Sequence, residues 1–208
     1  MKQTAVTFVA AVAVGVTLSA AVSFKSTFKS MDAGRVSFLG KKVAAVIMTK
    51  DDGLRVTGED ALASELTARG MQGVATYKIA PKEELQKAET AKPWFEKAGV
   101  EGVVVLRPVS AETRTTYTPG TWVSPNYGTL WGYYGWGWSQ MYIPGTTGTQ
   151  DVITVENVIF DVASNQLVWA AVAEISDAKS LREGITQLAK ASVKVMQEQG
   201  LAKGQPKK

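Results

Sequence analysis

The side chains of this 208-residue chain that could do chemistry are carboxylates, lysines and aromatic rings, because the sequence has neither histidine nor cysteine. Without cysteine there is no disulfide, thiolate metal site or cysteine nucleophile. Without histidine there is no Ser-His-Asp catalysis, imidazole-bound zinc or histidine general base. An enzyme with this composition could use only carboxylate chemistry, a lysine mechanism or a metal held by oxygen ligands. We therefore expect a protein that is not an enzyme and that holds no cofactor and no metal.

Four acidic residues, Asp151, Glu156, Asp161 and Glu174, lie on a predicted β-hairpin. A glycoside hydrolase needs two carboxyls that face each other at about 5–10 Å. Alternation along a strand places Asp151 and Asp161 on one side and Glu156 on the other, which does not predict such a pair. We expect solvent-facing charges that protect strand edges, and a hydrolase is our third hypothesis. The Asp51–Gly53 stretch resembles the start of a metal-binding loop but lacks its later acidic residues, and we predict a turn there.

The most unusual segment is 117–144, a connection without a charged residue in which aromatic residues are interleaved with glycine. A connection of about 30 residues far exceeds a usual hairpin loop and is typical of functional loops. Such rings stack on sugars, lie at a membrane–water interface or anchor a protein partner. The structural alternative is that they fold back over the sheet as a satellite core. The candidate binding residues are Trp122, Tyr127, Trp131, Tyr133, Tyr134, Trp136, Trp138 and Tyr142.

The strands that must position this segment are predicted from apolar runs. Short runs that are apolar on both faces, such as Val43–Met48 and Gly102–Leu106, are typical of strands covered on both sides. A strand is also expected over 74–77 and a more polar one over 109–117. Two further strands, over 152–162 and 167–175, form a hairpin around a turn at Ser164-Asn165.

Three helical segments complete the pattern. Thr57 and Asp60 have the spacing of a capping box, and Gly70 follows as a C-terminal cap. A second helical stretch covers 81–98, where we expect Pro93 to divide it, and a third covers 179–199. The resulting order β-α-β-α-β-β-β-β-α predicts an α/β fold with an α+β tendency. It is a single domain with a mixed sheet, helices on the sheet and the aromatic loop in the C-terminal antiparallel half.

The first 23 residues have the pattern of a signal peptide. A short positive start precedes uncharged residues 5–22, and the small residues Ser19 and Ala21 place cleavage near Ala21 or Ser23. An uncleaved transmembrane anchor is the alternative, since about 18 apolar residues can just span a bilayer. We expect a periplasmic protein without a lipobox cysteine. After the signal come a lead-in over 24–40 with a short edge strand around Arg35–Leu39, the α/β domain over 41–200 and a flexible basic tail over 201–208.

Several short sequence pieces follow one another along the chain: Phe28-Lys29, Gly40-Lys41-Lys42-Val43, Leu54-Arg55, Glu59-Asp60-Ala61-Leu62-Ala63, Glu65-Leu66, Arg69-Gly70, Trp131-Gly132-Tyr133-Tyr134-Gly135 and Leu167-Val168-Trp169. In these pieces the chain resembles a family of uncharacterised bacterial envelope proteins, over most of residues 28–200. Many members look like lipoproteins with a cysteine at the end of the signal, which this chain lacks. The element order is more distantly similar to the N-terminal domain of the Tol translocation propeller protein. It is also similar to domains of the curli-secretion lipoprotein and of lipoprotein activators of peptidoglycan synthases.

This resemblance implies an envelope adaptor domain and carries over no catalytic residues. We expect a module, associated with the outer membrane, that binds an envelope protein or itself through the loop 117–144. The alternative is a module that binds peptidoglycan or a glycolipid with the same rings. The formal charge is only +4, and the basic residues do not form a stripe along the sequence. No nucleic-acid partner is therefore expected. Membrane contact is expected to be peripheral unless the signal stays uncleaved.

Overall fold

The structure is a computed structural model. It describes residues 21–114, 128–137, 150–176, 178 and 180–201. Within these residues no helix is both long and apolar enough to cross a membrane.

The described residues form a six-stranded mixed sheet with the strand order β1-β6-β5-β4-β2-β3. Strand β2 runs parallel to β3 and to β4, whereas the β4–β5, β5–β6 and β1–β6 pairs are antiparallel. The sheet with its helices confirms the predicted single α/β domain. The strands are β1 Ala21–Lys29, β2 Lys42–Ile47, β3 Gln72–Ala75, β4 Gly102–Arg114, β5 Gln150–Asp161 and β6 Gln166–Ser176.

Helices cover both faces of the sheet and produce two cores. In the first core, apolar residues of α1 and α5 such as Leu62 and Leu188 cluster with sheet residues that include Ile47 and Trp169. In the second core, residues of α2, α3 and α4 meet the opposite faces of β2, β4 and β5. The central strands are therefore apolar on both sides, as the sequence predicts. The helices are α1 Asp52–Ala68, α2 Lys82–Leu85, α3 Ala88–Lys97, α4 Leu130–Gly137 and α5 Leu181–Glu198.

Helix α1 begins five residues before the predicted capping box, so the prediction at Thr57 is wrong. Asp51 is the N-cap, and its Oδ1 accepts a hydrogen bond from the backbone N–H of Leu54 at 2.9 Å. A side-chain oxygen at this position satisfies one of the free N–H groups of the first turn. The Asp51–Gly53 stretch is therefore the start of a helix and not a separate turn.

The break in the second helical stretch lies at Gln86–Lys87, between α2 and α3, and not at Pro93 as predicted. The hydroxyl of Thr90 donates a 2.6 Å hydrogen bond to the carbonyl of Glu84, which gives the end of α2 a partner from α3. Pro93 lies inside α3, where it removes one N–H but leaves the helix continuous.

Strand β4 is a single strand where two were predicted. It runs through Pro108, and its pairing with β5 shifts register between Pro108 and Ser110. A proline lacks the N–H that a regular ladder needs and is tolerated at such an irregularity. The hairpin prediction is confirmed, because β5 and β6 pair antiparallel around a turn in which Asn165 has a φ of 53°.

Strand β1 forms one edge of the sheet. It pairs with β6 from Ala21 to Lys29, so the edge strand lies earlier than the predicted one at Arg35–Leu39. That predicted strand is absent from these described residues, since 31–35 is a short 3-10 helix and no strand follows before Lys42. The two residues Val22 and Phe24 pack against the first core, and Phe24 contacts Trp169 edge to face at 5.9 Å.

Candidate functional site

The aromatic segment contains a helix, α4, where a loop was predicted. Thr129 stands directly before it, and its hydroxyl accepts a 3.2 Å hydrogen bond from the backbone N–H of Gly132. This is the hydrogen bond of an N-cap residue to the third helical position. Three of the eight residues of α4 are glycine, and each glycine weakens an isolated helix by about 0.5–1 kcal/mol. The helix therefore depends on what it packs against.

The inner side of α4 is part of the second core. Leu130, Tyr133 and Tyr134 are fully buried. The Tyr134 ring meets Phe95 of α3 edge to face, with centroids 5.6 Å apart, and the half-buried Trp131 ring lies 5.9 Å from Phe95. Such aromatic pairs add about 0.5–1.5 kcal/mol each beyond their burial. Rings of the aromatic segment thus fix α4 to α3.

A buried polar triad fixes α4 to the centre of the sheet. Arg107 and Glu156 are directly opposite each other on β4 and β5, and Arg107 Nε donates a 2.9 Å hydrogen bond to Glu156 Oε2. The hydroxyl of Tyr133 donates to the same oxygen at 2.8 Å. Arg107 is 4% exposed and Glu156 2% exposed. A carboxylate buried in this way requires compensating partners, and the triad supplies two.

The outward side of α4 is formed by glycine. Gly132 and Gly135 are exposed, one helical turn apart. Among the described residues, a Cβ built at Gly135 would meet only Ala88 Cβ, at 4.0 Å, and the φ of Gly135 is not positive. Neither the backbone conformation nor packing against the described residues therefore requires glycine at position 135. A Cβ at Gly132 would lie 3.0 Å from the Thr129 hydroxyl, so this position is more confined.

The predicted binding residues divide into three groups in the structure. Tyr133 and Tyr134 are core residues, and Trp131 is half-buried against them. Trp136 lies in α4, but its side chain is outside the described part. Trp122, Tyr127, Trp138 and Tyr142 lie outside the described residues. The structure thus gives three of the rings a packing role, and binding by the segment stays a prediction.

The expectation that the hairpin carboxylates face solvent is wrong for Glu156 and Asp161. Glu156 is buried by the triad, and Asp161 is 8% exposed. The Asp161 carboxylate accepts hydrogen bonds from the backbone N–H and the hydroxyl of Ser164, which shape the hairpin turn. Asp151 is exposed, and Glu174 forms a 3.1 Å ion pair with Lys25 of β1.

A second buried carboxylate, Glu59, joins α1 to residues 76–77, which directly follow β3. It accepts hydrogen bonds from the Thr76 hydroxyl at 2.6 Å and the Tyr77 N–H at 2.8 Å, and its Oε1 lies 3.8 Å from Arg55 Nη1. Burial raises the pKa of Glu59 above its ordinary value, and these hydrogen bonds and the Arg55 charge oppose that rise. Sequence reasoning missed this residue because its position on α1 looks like a solvated charge.

An open depression of about 580 Å³ lies beside α1 and β3, and its lining includes Asp60, Ser64, Thr67 and Lys78. Lys78 Nζ donates to Asp60 Oδ1 at 2.7 Å. This hydrogen bond lowers the pKa of Asp60 and raises the pKa of Lys78. The two charges thus satisfy each other at the surface. Across the described part of the chain, no group of three or more acidic side chains is placed to hold a metal ion.

No protein-family model and no curated protein matches this chain. Among solved structures it is similar to the PelC dodecamer from Paraburkholderia phytofirmans, at 16% identity and a TM-score of 0.44 over 89% of this chain and 99% of that one. A single-substitution variant of that dodecamer is similar at 18% identity and a TM-score of 0.43, over 88% of this chain and 99% of that one. A PDZ domain protein from Parabacteroides distasonis is similar at 13% identity and a TM-score of 0.36, over 88% of this chain and 36% of that one. At these identities and TM-scores, function has to be inferred from the residues of this chain.

Proposed function

We propose that this chain is a non-enzymatic binding module of the bacterial cell envelope, which holds a protein partner with the aromatic segment 117–144. The export pattern of the first 23 residues supports the envelope location. The composition of the segment supports protein binding, because tryptophan and tyrosine are enriched among the residues that contribute most to protein interfaces.

The observation that carries the proposal is the exposed Gly135 on a docked helix. Glycine in a helix interior costs about 0.5–1 kcal/mol relative to alanine, and none of the described residues requires it here. Close approach of another backbone or of a ligand is a further physical reason for a glycine. The outward side of α4 is therefore the proposed centre of the contact.

The buried side of α4 explains why this surface is suited to binding. The triad and the ring contacts hold the helix in one position before a partner arrives. Binding to a surface that is already ordered avoids the entropic cost of ordering it during association. The half-buried Trp131 borders the same surface and provides an aromatic contact.

The experiment must spare the buried rings, because deletion of the segment would remove Tyr133 and Tyr134 from the core. We would compare proteins that co-purify with the tagged full chain and with Gly135→Arg, which places a long charged side chain on the outward side of α4. Lys190→Glu, at an exposed position of α5 on the other face of the sheet, is the matched control.

The proposal expects one protein that is retained by the wild type and by Lys190→Glu and is lost with Gly135→Arg. If the wild type and both variants, shown to be folded by circular dichroism, retain the same proteins, the α4 surface is not the interface. Retention on isolated sacculi or lipopolysaccharide that is lost with Gly135→Arg would instead indicate the glycan-binding alternative.

A further inference from the structure

Within the described part of the chain, β1 is an edge strand with no strand paired on its outer side. All residues from Ser23 to Lys29 are exposed except Phe24, and Phe28 is 53% exposed. Met31, just after the strand, is fully exposed. A long edge strand with exposed apolar side chains is a template for pairing with another chain.

The hydrogen-bond pattern identifies which backbone groups this edge offers. The N–H of Ser30 donates to Val168 O at 3.0 Å, so it points into the sheet. Backbone groups alternate in direction along an antiparallel strand. The N–H and C=O groups of Thr27 and Lys29 therefore point away from the sheet, and Phe28 lies between them.

The opposite edge of the sheet is short and lies close to a helix. Strand β3 has four residues, and the outward N–H of Gly73 donates to the hydroxyl of Thr67 at 3.2 Å. Helix α1 approaches so closely that a Cβ at Gly73 would lie 2.1 Å from Ala63 O. Among the described residues, α1 thus satisfies an outward group of β3, whereas no strand pairs with the outer edge of β1.

The lysines of β1 do not protect its edge in the usual manner. Edge lysines prevent pairing when their charges project from the strand. Lys25 instead forms a 3.1 Å ion pair with Glu174 on the neighbouring strand, and Lys29 Nζ donates to Gln199 O at 3.1 Å. Both ammonium groups thus have partners within their own copy.

We propose that two copies of this chain pair antiparallel through β1, with Phe28 of one copy opposite Phe28 of the other. In this register Thr27 and Lys29 of one copy exchange backbone hydrogen bonds with Lys29 and Thr27 of the second. Each Lys29 lies opposite a neutral Thr27, so no lysine faces a lysine. The cross-strand Phe28 pair covers side chains that are now exposed, and aromatic pairs of this kind stabilise a sheet.

A second copy is the favoured occupant because the strand is compatible with itself in charge and in its pattern of hydrogen bonds. The contact involves only a few residues of each copy. We therefore expect it to bury less surface than the roughly 1,200 Å² that stable complexes bury. The pairing is therefore weak and concentration-dependent. It uses a surface separate from the outward side of α4, so its failure leaves the proposed function untouched.

The absence of cysteine from the chain allows a direct test. The Cα atoms of a non-hydrogen-bonded antiparallel pair are about 4.5 Å apart, and a disulfide spans about 4.4–6.8 Å. We would oxidise the purified full chain carrying Phe28→Cys and, as the control, Met31→Cys, which is more exposed but lies beyond the strand. The proposal expects several-fold more disulfide-linked dimer from Phe28→Cys.

A further variant separates pairing from random collision. Thr27→Pro removes an outward N–H and leaves the inward hydrogen bonds of β1 in place, and proline is tolerated on edge strands in this orientation. Added to Phe28→Cys, it should reduce the dimer to the level of Met31→Cys while the circular dichroism spectrum stays unchanged. Equal dimer yields from Phe28→Cys and Met31→Cys, or a dimer that persists in folded Thr27→Pro, would overturn the proposal.

Discussion

The hydroxyl of Tyr133 donates a 2.8 Å hydrogen bond to the carboxylate of Glu156 in the interior of the protein. One partner belongs to the aromatic segment and the other to a central strand. The segment is thus tied to the sheet through a charged group that is 2% exposed. This contact makes α4 part of the folded domain.

Replacement of Tyr133 by phenylalanine should lower the free energy of unfolding by about 1.5–3 kcal/mol, because a hydrogen bond to a buried charge is lost. Urea unfolding monitored by circular dichroism measures this change. Tyr77→Phe is the control, since its hydroxyl binds the half-exposed Asp60 and should cost less than about 1 kcal/mol. Equal losses for the two variants would contradict a special role for the triad.

Arg107→Met should destabilise the protein by about 3–5 kcal/mol, because it takes the guanidinium from the buried Glu156 carboxylate. The double variant Arg107→Met/Glu156→Leu removes both charges and should be less destabilised than Arg107→Met alone. Denaturant unfolding of the wild type, both single variants and the double variant tests this. Losses that simply add would show that the two side chains act independently.

Glu59→Gln should change how stability depends on pH. Burial raises the pKa of Glu59 in the folded state above the ordinary 4.5, so the folded state binds more protons than the unfolded state between these two values. The contribution of Glu59 is therefore fully present at low pH and is lost as the pH rises through this window. We expect the wild type to lose stability relative to Glu59→Gln from about pH 4.5 upward. Parallel curves of unfolding free energy against pH would be the contrary result.

The same substitution should have opposite effects at two glycines. Gly135→Ala should stabilise the protein by up to about 1 kcal/mol, because α4 gains a better helix former without a clash. Gly73→Ala should destabilise it by roughly 1–3 kcal/mol or more, since its Cβ would lie 2.1 Å from Ala63 O. Thermal unfolding of the two variants measures both effects. A destabilised Gly135→Ala would remove the argument that no described residue requires this glycine.

The sequence is sufficient to predict the central strands, the hairpin and the single mixed sheet, because these follow from local apolar runs and turn residues. It is insufficient for boundaries that depend on a single hydrogen bond or a register shift. The start of α1 depends on the Asp51 cap. The continuity of β4 depends on how its pairing with β5 absorbs Pro108.

The candidate site, too, can be predicted from the sequence only in part. The density of aromatic residues in 117–144 marks the segment as unusual, but it does not distinguish rings that pack from rings that bind. Tyr133 is buried because Arg107 and Glu156 become cross-strand neighbours, and they are 49 residues apart in the sequence. The sequence does not predict the outward side of α4 as a contact surface, because glycines carry no side chain that would indicate a contact.

The most direct test of the central claim is photo-crosslinking in the native bacterium from a photoreactive phenylalanine analogue at position 135. The same analogue at Lys190, exposed on α5, is the control. We predict a discrete protein adduct from position 135 that is absent from position 190 and is identified by mass spectrometry. Identical adduct patterns from the two positions, or no protein adduct from position 135, would contradict a protein-binding role for this surface.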